Sequence, residues 1–312
     1  MGLIHWLTKV RYEIMIQAKL PVSDSIFENI IELYYKIPYF RAGVIPSGRQ
    51  RRMIISLTTI PSRLNKVWLT IESLLRQSKK PDKIILWLAE DEFHGIDLPE
   101  VLKGQQKRGL EIRYCKNLKS YKKFFYTMLE HPNDYVLVVD DDFIYSEKLL
   151  AEMMKASIEN PDSIVCNRAH KIRMDKNGVF PYFRWIWYEN RRIKEEYPSF
   201  HNFLTSGGGT LFPVWLLDKE IFREDVFIKI APTADDVWLN FNAWRSRLKV
   251  VMTRGVLGYM IPIHNNSDAG LYLKNLARNA ESGECENDYQ IRNVLEYLNL
   301  NINEYIKEGE RQ

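Results

Sequence analysis

The chain has 312 residues, 46% of them hydrophobic, and its 44 basic and 40 acidic residues leave a formal charge of +4. That supplies one large core, and the absence of any basic block argues against a nucleic-acid partner. The three cysteines, Cys115, Cys166 and Cys285, are scattered and odd in number, which fits a reducing compartment such as the cytoplasm, and no apolar run approaches the roughly 18 residues of a membrane span.

Charges at Lys9, Arg11 and Glu13 interrupt the apolar start, so it is not a secretory signal. Leu3, Trp6, Leu7, Val10, Ile14 and Ala18 share one helical face, with His5, Lys9, Tyr12 and Lys19 opposite. Such a helix packs on its own domain or a sister subunit, the preferred reading. The alternative is a peripheral contact of residues 1–20 with the inner face of the cell membrane, which Trp6 and the cations would suit. A helical arm over residues 1–50 ends in the turn-rich "VIPSGRQRR".

Residues 53–59 form a first predicted strand, and Leu64, Val67, Trp68, Ile71, Leu74 and Leu75 mark an amphipathic helix behind it. Strands follow at 83–89 and 110–115, then a helix over about 120–130 and the strand "YVLVV". Ser146 reads as a helix cap, ahead of Leu149, Leu150, Met153 and Met154 at helical spacing. Beyond Cys166 come an aromatic, basic segment, "TSGGGTLFP", the helical "TADDVWLNFNAWRSR" and a strand at 249–253. Strands alternating with helices predict an α/β fold, a doubly wound and mostly parallel sheet with helices on both faces.

The strand at 135–139 has no polar alternation, which suits burial on both faces, and it runs directly into Asp140, Asp141 and Asp142. Three carboxylates in one turn repel one another. At the carboxyl edge of an open sheet, where ligands bind, they call for a cation. Residues two apart in extended chain point the same way, so Asp140 and Asp142 are expected to converge while Asp141 faces elsewhere. Such oxygens suit Mg²⁺ or Mn²⁺, although a solvated acidic turn explains the string about as well.

Asp235 and Asp236 fall in the first turn of a helix that Thr233 would cap, a common place for acids and also one from which a carboxylate can take a proton. Three glycines around Gly208 mark close backbone approach to a ligand, or a flexible loop. His264 is a candidate metal ligand, although a lone histidine is more often structural. Arg63 and the cluster Lys119, Lys122 and Lys123 could meet phosphates, with solvated surface charge as the default. Phe183, Trp185, Trp187 and Tyr188 could stack on sugar rings or simply pack.

Taken in order, "SLTTIPSRLNKVWLTIESLLRQSKKPDKIILWL", "KSYKKFFYTMLEHPNDYVLVVDDDFIYSEKLL", "CNRAH", "TSGGGTLFP" and "TADDVWL" resemble the bacterial GT-A glycosyltransferases (family 2-like) that build capsule and lipopolysaccharide chains. The resemblance covers roughly residues 50–265. It implies a GT-A domain at 51–265 between the arm and a helical extension at 266–312. It also implies a nucleotide-sugar donor, with UDP-sugars the first guess, an oligosaccharide or lipid-linked glycan acceptor, and Mn²⁺ or Mg²⁺. By the same resemblance Asp142 would be the main metal ligand, supported by Asp140 and His264, with Asp141 near the donor ribose. Thr58, Thr59, Arg63, Lys119 and Gly208 would lie on the nucleotide side. Asp235 and Asp236 would be catalytic, Asp236 as the base of an inverting transfer. The alternatives are a retaining transferase, a sugar nucleotidyltransferase, a glycoside hydrolase and a non-catalytic glycan-binding protein. The nucleotidyltransferase would be expected to carry a glycine-rich loop where this chain has "TTIPSR".

Overall fold

A computed structural model describes residues 2–16, 24–176, 178–186, 197–253, 260–263, 275–277 and 284–310. Its first strands are β1 (Met53–Thr58), β2 (Lys83–Ala89), β3 (Leu110–Cys115), β4 (Tyr135–Val138), β5 (Phe143–Tyr145), β6 (Ser163–Cys166) and β7 (Ala169–Lys171). A small hairpin, β8 (Met174–Asp175) and β9 (Gly178–Val179), is followed by β10 (Asn202–Leu204), β11 (Thr210–Pro213), β12 (Lys249–Met252) and β13 (Met260–Pro262).

Seven strands form the central sheet in the order β12-β6-β11-β4-β1-β2-β3. All neighbours run parallel except β11, which is antiparallel to both β4 and β6. The fold is therefore the expected α/β sheet with one reversed strand. The reversal goes with the connection: "GGG" turns directly into β11, and the described residues between β6 and β11 hold no α-helix that would bring it in parallel.

Alternation of side chains divides the core in two. Val136, Val138, Ile164, Cys166, Phe212, Val250 and Met252 point to one face. Leu137, Val139, Val165, Leu211 and Val251 point to the other, with Ile55, Leu57, Ile84 and Leu86. Because both faces are covered, β4 carries no polar residue after Tyr135, which explains its unbroken apolar run.

The arm consists of α1 (Leu3–Ile16) and α2 (Asp24–Lys36). Behind β1 lies α3 (Val67–Leu75), and β2 is followed by α4 (Glu90–Phe93) and α5 (Glu100–Gln106). The helix expected at 120–130 is split into a 3₁₀ segment, Lys119–Lys123, and α6 (Phe125–Glu130). Next come α7 (Leu149–Glu159), α8 (Glu224–Ile230), α9 (Asp235–Arg245), α10 (Glu286–Tyr297) and α11 (Ile302–Glu310).

Two expected caps are corrected. Lys148 rather than Ser146 precedes α7, and the Ser146 hydroxyl meets the His5 ring at 3.0 Å and accepts from the Lys148 N–H at 3.3 Å. Ala234 rather than Thr233 precedes α9, and Thr233 instead bonds Gln290 of α10. His5 belongs to the inner face of α1, not the outer. Ile4, Leu7 and Thr8 are buried with it, while Leu3 and Trp6 are exposed. Ile4 and Leu7 join Phe27, Ile31 and Tyr35 of α2, Leu69 of α3, Ile144 and Ile261 in a third cluster, so α1 does pack on its own domain. Among the described residues no helix is long and apolar enough to cross a membrane.

Candidate active site

Strand order reverses between β1 and β4, and both run their carboxyl ends to the same edge. The crevice outside such a switch point is where open α/β sheets bind ligands. A cavity of about 570 Å³ opens there. Thr58, Thr59 and Arg63 after β1, Glu92 after β2, and Asp140, Asp141 and Asp142 after β4 line it, with Lys119, Lys122 and Lys123, Arg168 after β6, and Asp235 and Asp236 at the start of α9. Nine of the eleven site candidates implied by the resemblance are thereby brought together. Gly208 is fully buried behind this wall, and His264 lies outside the described residues.

The three aspartates divide differently from the expected pattern. Arg63 binds Asp141 Oδ1 at 2.7 Å and Asp142 Oδ2 at 3.1 Å, and Thr59 Oγ1 donates to Asp141 Oδ2 at 2.5 Å. Asp140 turns the other way, to Lys123 Nζ at 2.9 Å, and Lys123 also holds Asp235 Oδ2 at 2.8 Å. Asp141 therefore faces the same cavity as its neighbours instead of pointing away. The chain leaves the strand at Val138, so extended-chain alternation ends just before the acids begin.

Burial is the largest influence on each acid. At Asp142 burial raises the carboxyl pKa to about 7, helped by the charges of Asp140 and Asp141 against the opposing Arg63. Burial also raises Asp141, with Arg63 and Thr59 opposing. For Asp140, the charge and hydrogen bond of Lys123, with Arg168 and Arg63, outweigh burial and hold the carboxyl below its usual range. Asp236 is raised to about 6 by burial and by Asp235, against Lys123 and Ser206. Ser206 donates to Asp236 Oδ1 from its backbone N–H at 2.8 Å and from its hydroxyl at 2.5 Å.

The glycines are explained by proximity to side chains. A Cβ on Gly207 would lie 1.6 Å from Asp140 Oδ2, and one on Gly208 would lie 2.4 Å from Arg168 Cβ. Gly209 has φ +95°, a region that favours glycine. Tyr145 ties the loops together, accepting from the Asp140 N–H and donating to the Gly207 carbonyl. The sequence suggests close approach to a ligand; the approach found is to the side chains of Asp140 and Arg168.

Arg168 is the important residue that the sequence did not single out. Lys122 and Lys123, candidates for phosphate contact with solvated charge as the default, are both buried. Their 3₁₀ segment is pinned beneath Tyr121, whose ring stacks on Phe227 at 4.0 Å, and that packing turns the lysines inward. A signal was present in "KSYKKFF", where cations are flanked on both sides by core aromatics. Lys119 adopts φ 54° and lines the cavity. Trp185 is core and packs on Tyr182 and Phe203, while Trp187 and Tyr188 lie outside the described residues.

A divalent cation fits this donor set. The oxygens are hard carboxylates, and Asp142 Oδ1 is buried with no hydrogen-bond partner. Among the described residues no group of three acids, histidines or cysteines forms a closed metal cage, consistent with a site that draws further oxygens from a bound ligand.

The raised pKa values set a pH prediction. A folded carboxyl that holds its proton above the unfolded value of about 4 adds stability at low pH, lost as pH rises through the folded pKa. Buried His170, lowered to about 3 by burial and by Arg168, works in the opposite direction, so a comparison of variants is cleaner than one curve. Metal-free Asp142→Asn should melt several degrees above wild type at pH 8, and the gap should narrow by about half at pH 5.5 and close as pH falls towards 4, by calorimetry. An equal offset at both pH values would refute the assigned shift.

No known family model matches the chain, and no curated protein matches it. Among solved structures it is similar to S. aureus TarS 1-349, at 16% identity and TM-score 0.47 over 68% of this chain and 60% of that one. The match thus spans less than two thirds of that protein's length, and a complex of the same protein with UDP is matched at 15% identity and TM-score 0.46, over 67% of this chain and 59% of that one. A mannosyltransferase from Pyrobaculum calidifontis in complex with GDP-Man and Mn²⁺ is matched at 12% identity and TM-score 0.45, over 99% of this chain and 85% of that one. These are distant likenesses.

Proposed function

We propose that this chain is a metal-dependent glycosyltransferase that moves a sugar from a nucleotide-sugar donor to a glycan hydroxyl, with inversion. The observation that carries the reading is a single cavity at the switch point with a three-aspartate loop on one side, Asp236 on the other, and cations between them. Arg63, Lys119 and Arg168 supply charge and donors for a diphosphate once it competes for them. Asp142 and Asp140 would hold Mg²⁺ or Mn²⁺. A cation bound there would neutralise charge growing on the departing diphosphate.

The chain's own residues do the rest. Ser206 fixes the Asp236 carboxylate with two hydrogen bonds to Oδ1, leaving Oδ2 free to receive the acceptor proton. Lys123 holds Asp235 and Asp140 in one network, so the base side and the metal side are positioned together. Thr59 and Arg63 orient Asp141 towards a donor ribose. By the resemblance in sequence, the acceptor is a growing bacterial surface glycan and the first donor to try is a UDP-sugar.

Titration calorimetry with UDP-, GDP-, CMP- and dTDP-sugars, in Mn²⁺ and in EDTA, tests this on wild type and Asp142→Ala. Binding of one nucleotide that needs the metal and disappears in Asp142→Ala is expected. Folded protein that binds no nucleotide under any of these conditions would reject the transferase reading.

A further inference from the structure

Eight of the sixteen large apolar side chains exposed among the described residues lie before residue 46. The densest set is on α2. Ile26, Ile30 and Leu33 recur at steps of four and three, which places them along one side of the helix, and Ile37 follows one residue past its end. They are 44–67% exposed, and Phe40, just beyond, is 91% exposed. The inner side of α2 is already satisfied: Phe27, Ile31 and Tyr35 are buried, and Glu28 and Glu32 bind Lys66 at 3.0 and 3.1 Å. The outer stripe therefore contributes nothing to the fold that holds α2 in place.

A cationic cluster borders the Phe40 end. The Arg76 guanidinium lies 4.7 Å from the Tyr39 ring centroid and that of Arg108 5.1 Å, with Lys80 Nζ at 5.9 Å. Arg76 and Arg108 are themselves mostly buried, with 8% and 16% of their side chains exposed, so exposed Arg41 and Lys79 are the cations that this edge presents. The only carboxylate bonded to Arg76 or Arg108 among the described residues is Glu72, which both share. Lys80 feels the surplus, for burial and then the Arg108 and Arg41 charges lower its pKa.

We infer that this face, the outer stripe of α2 with Phe40 and the adjoining cations, docks on a lipid bilayer carrying anionic headgroups. An exposed apolar ridge with positive charge at its border matches a bilayer surface in both respects: side chains enter the acyl boundary and cations meet the headgroups. A second copy of the chain is the lesser fit. A 13-residue helix is about 20 Å long, and a seam of three side chains on it, with Ile37 just beyond, falls short of the roughly 1,200 Å² that stable pairs bury. Cations at the same edge of both copies would also repel. Membrane contact was the lesser alternative for residues 1–20; the inference places it on α2 and Phe40 instead, since the inner face of α1 is buried. The inference is independent of the transferase reading, because no residue in it lines the catalytic cavity.

The test is sedimentation of the full chain with vesicles of phosphatidylglycerol and phosphatidylcholine, or of phosphatidylcholine alone. Wild type is compared with Leu33→Ser/Phe40→Ser and with Arg41→Glu/Lys79→Glu. All four positions are exposed, and unchanged melting temperatures confirm folding. Wild type should partition onto anionic vesicles at least about tenfold more than onto neutral ones, less so in high salt, and each double variant should lose about tenfold or more. Failure of wild type to bind anionic vesicles, or equal binding by the apolar variant, overturns the inference. A dimer in sedimentation equilibrium that Leu33→Ser/Phe40→Ser converts to monomer would overturn it in favour of a second copy.

Discussion

Asp236→Asn is expected to lower turnover by about 10²- to 10⁴-fold while metal-dependent donor binding stays within about twofold of wild type. The amide is isosteric, and its oxygen can still accept from the Ser206 N–H and hydroxyl that now hold Oδ1, so the loop should keep its place. What disappears is the capacity to take a proton. A pKa of about 6 leaves the wild-type carboxylate ionised at neutral pH and basic enough to assist the acceptor hydroxyl. Below pH 6, kcat/KM should therefore fall about tenfold per pH unit, and the small residual rate of Asp236→Asn should lack that limb. Steady-state kinetics with the donor found by calorimetry would decide. A variant with unchanged kcat, or one whose donor affinity collapses with its rate, removes Asp236 from the role of base. Asp235→Asn offers a contrast: it strips a partner from Lys123, so its effect should fall on stability and on the Asp140 loop.

The sheet was legible because burial writes itself into composition. The expected strand at 83–89 and the one at 110–115 coincide with β2 and β3, and "YVLVV" correctly announced a strand covered on both faces. The location of the acids followed from the same logic, since a buried strand has to deliver its polar continuation to the sheet edge. The reversed direction of β11 was not legible, because a four-residue apolar strand reads alike in either direction and only its neighbours fix its sense. Nor was the division of the aspartates. Alternation predicts which way side chains point only while the strand lasts, and beyond Val138 the partners decide: Arg63 draws Asp141 and Asp142, and Lys123 draws Asp140. Those partners lie 78 and 17 residues from the acids they bind, and no local pattern encodes the pairing. The inward turn of Lys123 depends on the stacking of Tyr121 against Phe227, a contact between segments more than a hundred residues apart.

Lys123→Met should then be the most destabilising single change in the site. The lysine side chain is 7% exposed and its ammonium lies within 2.9 Å of both Asp140 and Asp235, while the Asp236 charge also acts on it. Burial alone would lower its pKa, yet Asp140, Asp235 and Asp236 together push it well above the usual lysine range, so the cation stays charged. Methionine preserves most of the side chain's volume and removes only the charge and its hydrogen bonds. Buried Asp235 and the 30% exposed Asp140 are then left without their cation; a fully buried pair broken this way costs about 3–5 kcal/mol, and the exposure of Asp140 lowers that. The cost has an outlet: with Lys123 gone, Asp140 loses its largest opposing influence, burial takes over, and the carboxyl protonates more readily. Urea unfolding of metal-free protein at pH 8 should show the full loss of stability, and the loss should shrink at pH 5.5 as the acids take up protons. Divalent metal should restore part of it at pH 8, since a cation between the aspartates replaces some of the missing positive charge. Stability unchanged at both pH values would mean that Lys123 does not neutralise these acids, and the network that joins the two sides of the cavity would have to be given up.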